Sequence, residues 1–133
     1  MLIVTSFEKA LKSLKEGLDE RRRCPDNVFV RDAVIQRFEY TYEISHRMLK
    51  RYLESISANP SEIDGLAFQG LIRLGCEKGL LRSDWERWKL YRTARGTVSH
   101  TYDEDKAKEV LEIVPDFYEE AKFLLIRISG GAG

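Results

Sequence analysis

The chain has 133 residues, 43% hydrophobic and 33% charged, with 22 Lys plus Arg balanced by 22 Asp plus Glu. This length fits one domain spanning residues 1–133, and the cancelled charge excludes a duplex-DNA binder held mainly by global positive charge. No apolar run approaches the ~18 residues of a membrane span. Residues 1–4 are too short for a signal peptide and are followed by Lys9, Lys12 and Lys15, so the expected location is the cytoplasm.

The pattern is helical throughout. Thr5 and Glu8 have capping-box spacing, and Phe7, Leu11, Leu14 and Leu18 mark one apolar face ending near Leu18. Arg21, Arg22 and Arg23, then Pro25, Asp26 and Asn27, break that pattern. A long helix is predicted over 27–57, where Val28, Ile35, Tyr42, Leu49 and Ile56 recur every seventh residue beside Phe38, Ser45 and Tyr52. Asn59 and Pro60 open a third helix over 60–78 that stops at Gly79. Ser83 and Glu86 repeat the capping-box spacing before a helix carrying Trp85, Trp88 and Tyr91. Asp103 caps the last helix, whose apolar positions run from Ala107 to Ile128, with a kink expected near Leu111 because Pro115 lacks an N–H. Residues 130–133 read as a flexible tail. These faces specify an all-α, antiparallel up-and-down bundle of four main helices and a shorter one.

Most catalytic templates are missing. There is no glycine-rich phosphate loop, no paired-histidine helix and no nucleophile elbow, and no cofactor is implied. Cys24 and Cys76 stand in no metal spacing and read as reduced and structural, while zinc would need nearly every Cys and His of the chain to converge. What remains is the stretch 95–103, which carries Arg95, His100, Tyr102 and Asp103. Imidazole exchanges protons near neutral pH, guanidinium grips phosphate bidentately, and a tyrosine hydroxyl can act as donor or nucleophile. The structural alternative is that Arg95 pairs with an acid, His100 and Asp103 cap helix ends, and Tyr102 packs. His46 reads as a partly buried seam residue, Trp85 and Trp88 as core or interface, and the arginine run as a solvated helix end.

Three blocks together resemble one family: residues 34–43, residues 49–53, and Arg95 with His100, Tyr102 and Asp103 at their spacing. It is the nucleotidyltransferase substrate-binding protein family, within the wider HEPN group of helical domains, and the likeness spans about residues 7–125. The resemblance implies a helical bundle that dimerises and works beside a separate minimal nucleotidyltransferase chain. Such pairs act as a two-subunit transferase or as a toxin with its antitoxin. The family usually has a polar residue, often asparagine, where this chain has Gly96, and a Trp-Lys pair where it has His46 and Arg47.

Two functional expectations follow. In one, the chain is a binding and partner subunit that holds a nucleotide or acceptor near Arg95 and His100, while the partner places the divalent cations. In the other, it is a metal-independent ribonuclease, with His100 as general base or acid at a ribose 2′-hydroxyl and Arg95 stabilising phosphate charge. The resemblance marks Tyr102 as an acceptor for nucleotide transfer. Its place before Asp103 predicts access at a helix mouth whose free N–H groups would suit a phosphate. Arg95 and His100 are expected to line one cleft, and the surplus of large side chains, Trp85 and Trp88 among them, predicts a homodimer.

Overall fold

A computed structural model describes residues 2–130. It consists of six helices: α1 (Thr5–Arg23), α2 (Val28–Ile56), α3 (Pro60–Asp64), α4 (Phe68–Glu77), α5 (Trp85–Thr97) and α6 (Glu104–Gly130), with a 3-10 turn, Val98–His100, between the last two. α1 and α2 pack along one another, α6 lies against α1, α2 and α5, and α3 covers the C-terminal part of α2.

The long helices form where apolar spacing, caps and stops agree. Asn27 caps α2, its side-chain oxygen accepting from the N–H groups of Phe29 at 2.9 Å and Val30 at 3.2 Å. Of the seven-residue seam, Ile35, Tyr42 and Leu49 are buried, whereas Val28 and Ile56 at its ends are half-exposed because the bundle does not reach them. α6 carries buried Ala107, Val110, Leu111, Val114, Phe117, Ala121, Leu124 and Ile128 and continues through Pro115. Phe117 sits at the centre. Its ring meets Phe38 and Tyr91 edge-on at 5.2 Å each, with Trp88 at 6.1 Å. Each such fully buried side chain contributes about 1.5–3 kcal/mol of transfer free energy.

Several local expectations are corrected. α1 runs on to Arg23, because the three arginines extend its last turn, where cations favour the negative end of the dipole. Neither capping box forms. Val4 and Asp84 occupy the cap positions, without side-chain hydrogen bonds. The single helix over 60–78 is two, broken at Gly65, Leu66 and Ala67, so α4 turns to pack on α5. Gly79 does end α4: its φ of 73° lies in the left-handed region, and Leu80 donates its N–H to the Gly75 carbonyl at 2.9 Å. Gly130 belongs to α6, not to a tail; residues 131–133 lie outside the described residues. Trp88 and Tyr91 are wholly buried within the chain, so these large side chains are absorbed by its own core and not left over for a partner.

Glu120 on α6 is also wholly buried. One carboxylate oxygen accepts the Arg82 N–H at 2.7 Å, tying the segment between α4 and α5 to α6; the other has no partner among the described residues. Beside it Asp116 accepts from the Tyr91 hydroxyl at 2.6 Å and from the Arg82 guanidinium. Burial alone would raise the Asp116 carboxyl, but these two hydrogen bonds and the Arg82 charge hold it below its ordinary value.

Candidate functional site

The chain between α5 and α6 is short because the last turn of α5 tightens into the 3-10 turn. There Asp103 donates its N–H to the His100 carbonyl at 3.1 Å. Asp103 is the α6 cap: its Oδ1 accepts from the N–H groups of Asp105 at 2.9 Å and Lys106 at 3.4 Å. Glu104 and Asp105 add negative charge in the first turn. The helix mouth is therefore occupied by a carboxylate and ringed by acids, which corrects the expectation that its N–H groups would receive a phosphate.

Arg95 lies in the last turn of α5 and faces α2. Its Nε donates to Glu43 Oε1 at 2.8 Å, and its Nη2 lies 2.7 Å from the same oxygen and 3.4 Å from Glu39 Oε2. Glu39 and Glu43 are one turn apart on the polar ridge of α2, so the seam that buries Phe38 and Tyr42 also fixes two carboxylates opposite α5. The Arg95 side chain is about one-third exposed. Arg95 thus pairs with acids as its structural alternative predicted, yet stays about one-third exposed. Guanidinium presents five donors, so holding a carboxylate does not exhaust it.

His100 and Tyr102 stand on the outer side of the same junction. Both are exposed, Tyr102 to 85%, and their rings lie 6.4 Å apart at 69°. The Tyr102 ring does not pack under α6, and the hydroxyl is open to a second molecule. An open groove of about 300 Å³ runs beside it between Gln36 and Glu39 on α2 and Val98, Thr101 and Tyr102 on the junction. Arg95 joins this groove through its partner Glu39, and His100 through its neighbour Tyr102; neither is itself part of the lining. The single Arg95–His100 cleft expected from the sequence is replaced by a groove that Tyr102 enters. Gly96 leaves the α5 backbone bare here, since a Cβ at that position would meet nothing within 4 Å.

Further along the ridge, His46 is half-buried with its ring edge-on to Phe68 at 4.7 Å. Burial holds its pKa below the ordinary histidine value, aided by Lys50 and Arg92 and opposed by Glu43. Tyr42, beneath it, is pushed up to about 12, chiefly by burial. Among the described residues no group of three or more His, Cys, Asp or Glu could hold a metal ion, and no helix is long and apolar enough to cross a membrane.

Sequence reasoning singled out Arg95, His100, Tyr102 and Asp103 but not Glu39 and Glu43 as the partners of Arg95. The available signal was their spacing of one helical turn on the polar face of a helix whose other face is buried.

Known proteins share both sequence and shape with this chain. It is 40% identical over 91 residues to a protein of Haemophilus influenzae called a probable ribonuclease HepT; the match covers 68% of this chain and 62% of that relative, less than two thirds of its length. A solved Haemophilus influenzae structure, described as the fold of a substrate binding domain of a nucleotidyltransferase, superposes with a TM-score of 0.88 at 29% identity, covering 96% of this chain and 99% of the other. A Thermus thermophilus structure superposes with a TM-score of 0.73 at 35% identity, covering 92% and 98%. The model of one family, nucleotidyltransferase substrate binding protein like, matches residues 3–129. Because that match takes in both the bundle and the α5–α6 junction, this chain belongs to the nucleotidyltransferase substrate-binding protein-like family.

Proposed function

We propose that the chain is the substrate-binding partner of a separate minimal nucleotidyltransferase, and that Tyr102 is the group on which the partner acts. The observation that carries this reading is the Tyr102 side chain, 85% exposed and free of packing at the rim of a groove. In the transfer the phenolic oxygen attacks the α-phosphorus of a nucleoside triphosphate. A phosphorus–oxygen bond forms, the bond to the bridging oxygen breaks, and pyrophosphate leaves with its electron pair. The phenolic proton passes to a base of the partner, which also brings the divalent cation. Arg95, about one-third exposed beside Glu39 at the groove, holds the phosphate of the nucleotide.

Incubation with a minimal nucleotidyltransferase from the same source, ATP and magnesium, followed by intact-mass measurement, tests this. A nucleotide-sized gain that disappears in Tyr102→Phe is expected. A gain that persists in that variant, or none at all, removes Tyr102 from the role.

The similarity to a probable ribonuclease favours one further reading, a metal-independent RNA endonuclease that the partner silences by modifying Tyr102. His100 would take or give the proton at the ribose 2′-hydroxyl and Arg95 would stabilise phosphate charge. A single histidine cannot be base and acid in one step, so two copies would face each other. Leu90, half-exposed beside a groove lined by Ala94, Val110 and Ile113, offers an apolar surface for such a homodimer. Growth arrest on expression of the chain alone, relieved by His100→Ala, supports this reading; normal growth of cells making the unaltered chain counts against it. Light scattering at micromolar concentration reports the dimer, and a monomeric mass excludes it.

A further inference from the structure

α5 carries another arginine one turn before Arg95, and it is held differently. Arg95 is clasped by carboxylates and Arg87 lies 3.7 Å from Asp116, whereas exposed Arg92 has no hydrogen bond or ion pair with any described residue. Its guanidinium carbon lies instead 5.2 Å from the centroid of the Phe68 ring. Phe68, the first residue of α4, is half-buried. Its ring meets His46 edge-on at 4.7 Å and Trp85 edge-on at 5.8 Å, and the buried Trp88 lies 6.3 Å away. The break between α3 and α4 brings this ring to α5. The result is a rigid aromatic platform with an uncompensated cation on it, at the other end of the ridge on which Glu39 and Glu43 hold Arg95.

We infer that Phe68 and Arg92, walled by His46 and Trp85, form a nucleobase subsite for a nucleotide whose phosphate rests on Arg95. The inference deepens the nucleotide-binding reading above and rests on it. Residues three apart on a helix face the same way with Cβ atoms about 5–6 Å apart, which matches the reach from the phosphate to the base within one nucleotide. Bases stack on aromatic rings and on guanidinium planes whatever their identity, because every base has a π face. A cation without a carboxylate partner keeps its charge for an incoming nucleotide, whereas an Arg92–carboxylate pair would have cancelled it. Neutral His46 adds no repulsion toward Arg92. The ligand is therefore a base attached to a phosphate, either a free nucleotide or one unit of single-stranded RNA.

Equilibrium binding to the full chain separates these cases, using AMP, ribose 5-phosphate and a labelled six-residue adenylate RNA. The variants are Phe68→Leu, Arg92→Gln and Arg95→Gln; surface Arg92→Gln keeps the test valid should Phe68→Leu fold poorly. Phe68→Leu and Arg92→Gln are expected to weaken base-containing ligands by roughly 5- to 100-fold and to leave ribose 5-phosphate unchanged, while Arg95→Gln weakens all three. A loss seen with AMP identifies a free nucleotide; a loss confined to the RNA identifies an RNA unit. If Arg92→Gln and Phe68→Leu bind AMP and RNA as the unaltered chain does while Arg95→Gln does not, the subsite is wrong and the phosphate site stands. If Arg95→Gln also binds normally, or the unaltered chain binds none of the three, both fall.

Discussion

Glu43 Oε1 receives Arg95 twice, from Nε at 2.8 Å and from Nη2 at 2.7 Å, so one carboxylate oxygen on α2 clamps the side of the guanidinium that faces the bundle. Glu39 lies 3.4 Å from the same Nη2. The two acids orient the arginine and also compete for it, since any phosphate must share a positive charge already largely matched. Glu43→Gln keeps an acceptor but removes the negative charge. Phosphate-bearing ligands should then bind on the order of tenfold more tightly by calorimetry, a change worth about 1.4 kcal/mol. Because the pair is partly exposed, urea denaturation should shift by no more than about 1 kcal/mol. Weaker binding in this variant would mean that orientation outweighs competition.

Gly96→Ala is expected to stabilise the chain. Gly96 lies inside α5, has no positive φ, and its missing Cβ would meet nothing within 4 Å. Alanine removes unfolded-state freedom at no steric cost, for a gain of about 0.5–1 kcal/mol in urea or thermal unfolding. Gly75 is the contrast, because a Cβ there would stand 3.0 Å from Leu81 and 3.2 Å from Leu49. A loss of stability in Gly96→Ala would show that a second copy or partner occupies that open side.

Glu120 is the anchor between α6 and the segment that leads into α5. Glu120→Ala removes a buried acceptor, strands the Arg82 N–H and leaves a void among buried side chains, for an expected cost of about 2–4 kcal/mol. Denaturant melts followed by circular dichroism measure it, and a loss below about 1 kcal/mol would show that water replaces the carboxylate.

His46 gives the stability a pH dependence whose sign follows from its lowered pKa. Unfolded, the imidazole takes a proton at about pH 6.5; folded, burial and the Lys50 and Arg92 charges, against Glu43, postpone that to lower pH. Between the two values the unfolded chain binds more protons, so this contribution is present above about pH 6.5 and is lost as pH falls toward the folded value. The drop in stability from about pH 7.5 to about pH 5.5 should be smaller in His46→Gln than in the unaltered chain. Equal drops would assign the acid sensitivity to other groups.

The sequence by itself determined the helices that hold the bundle together, because each signal was local. The apolar repeat of α2 and α6, the Asn27 and Asp103 caps and the Gly79 stop act within a few residues and need no partner to be read. The same locality made Arg95, His100 and Tyr102 legible as one junction. Tertiary structure decided what those residues face. It divided 60–78 into α3 and α4 because only a turn at Gly65 lets Phe68 reach His46 and Trp85 while Leu71 and Ile72 stay buried. It set Glu39 and Glu43 against an arginine some fifty positions away and left Arg92 unpaired, although both arginines look alike in the sequence. Charge pairing across helices depends on helix rotation and register, which are fixed by the packing of Phe38, Trp88, Tyr91 and Phe117, not by the charged residues themselves.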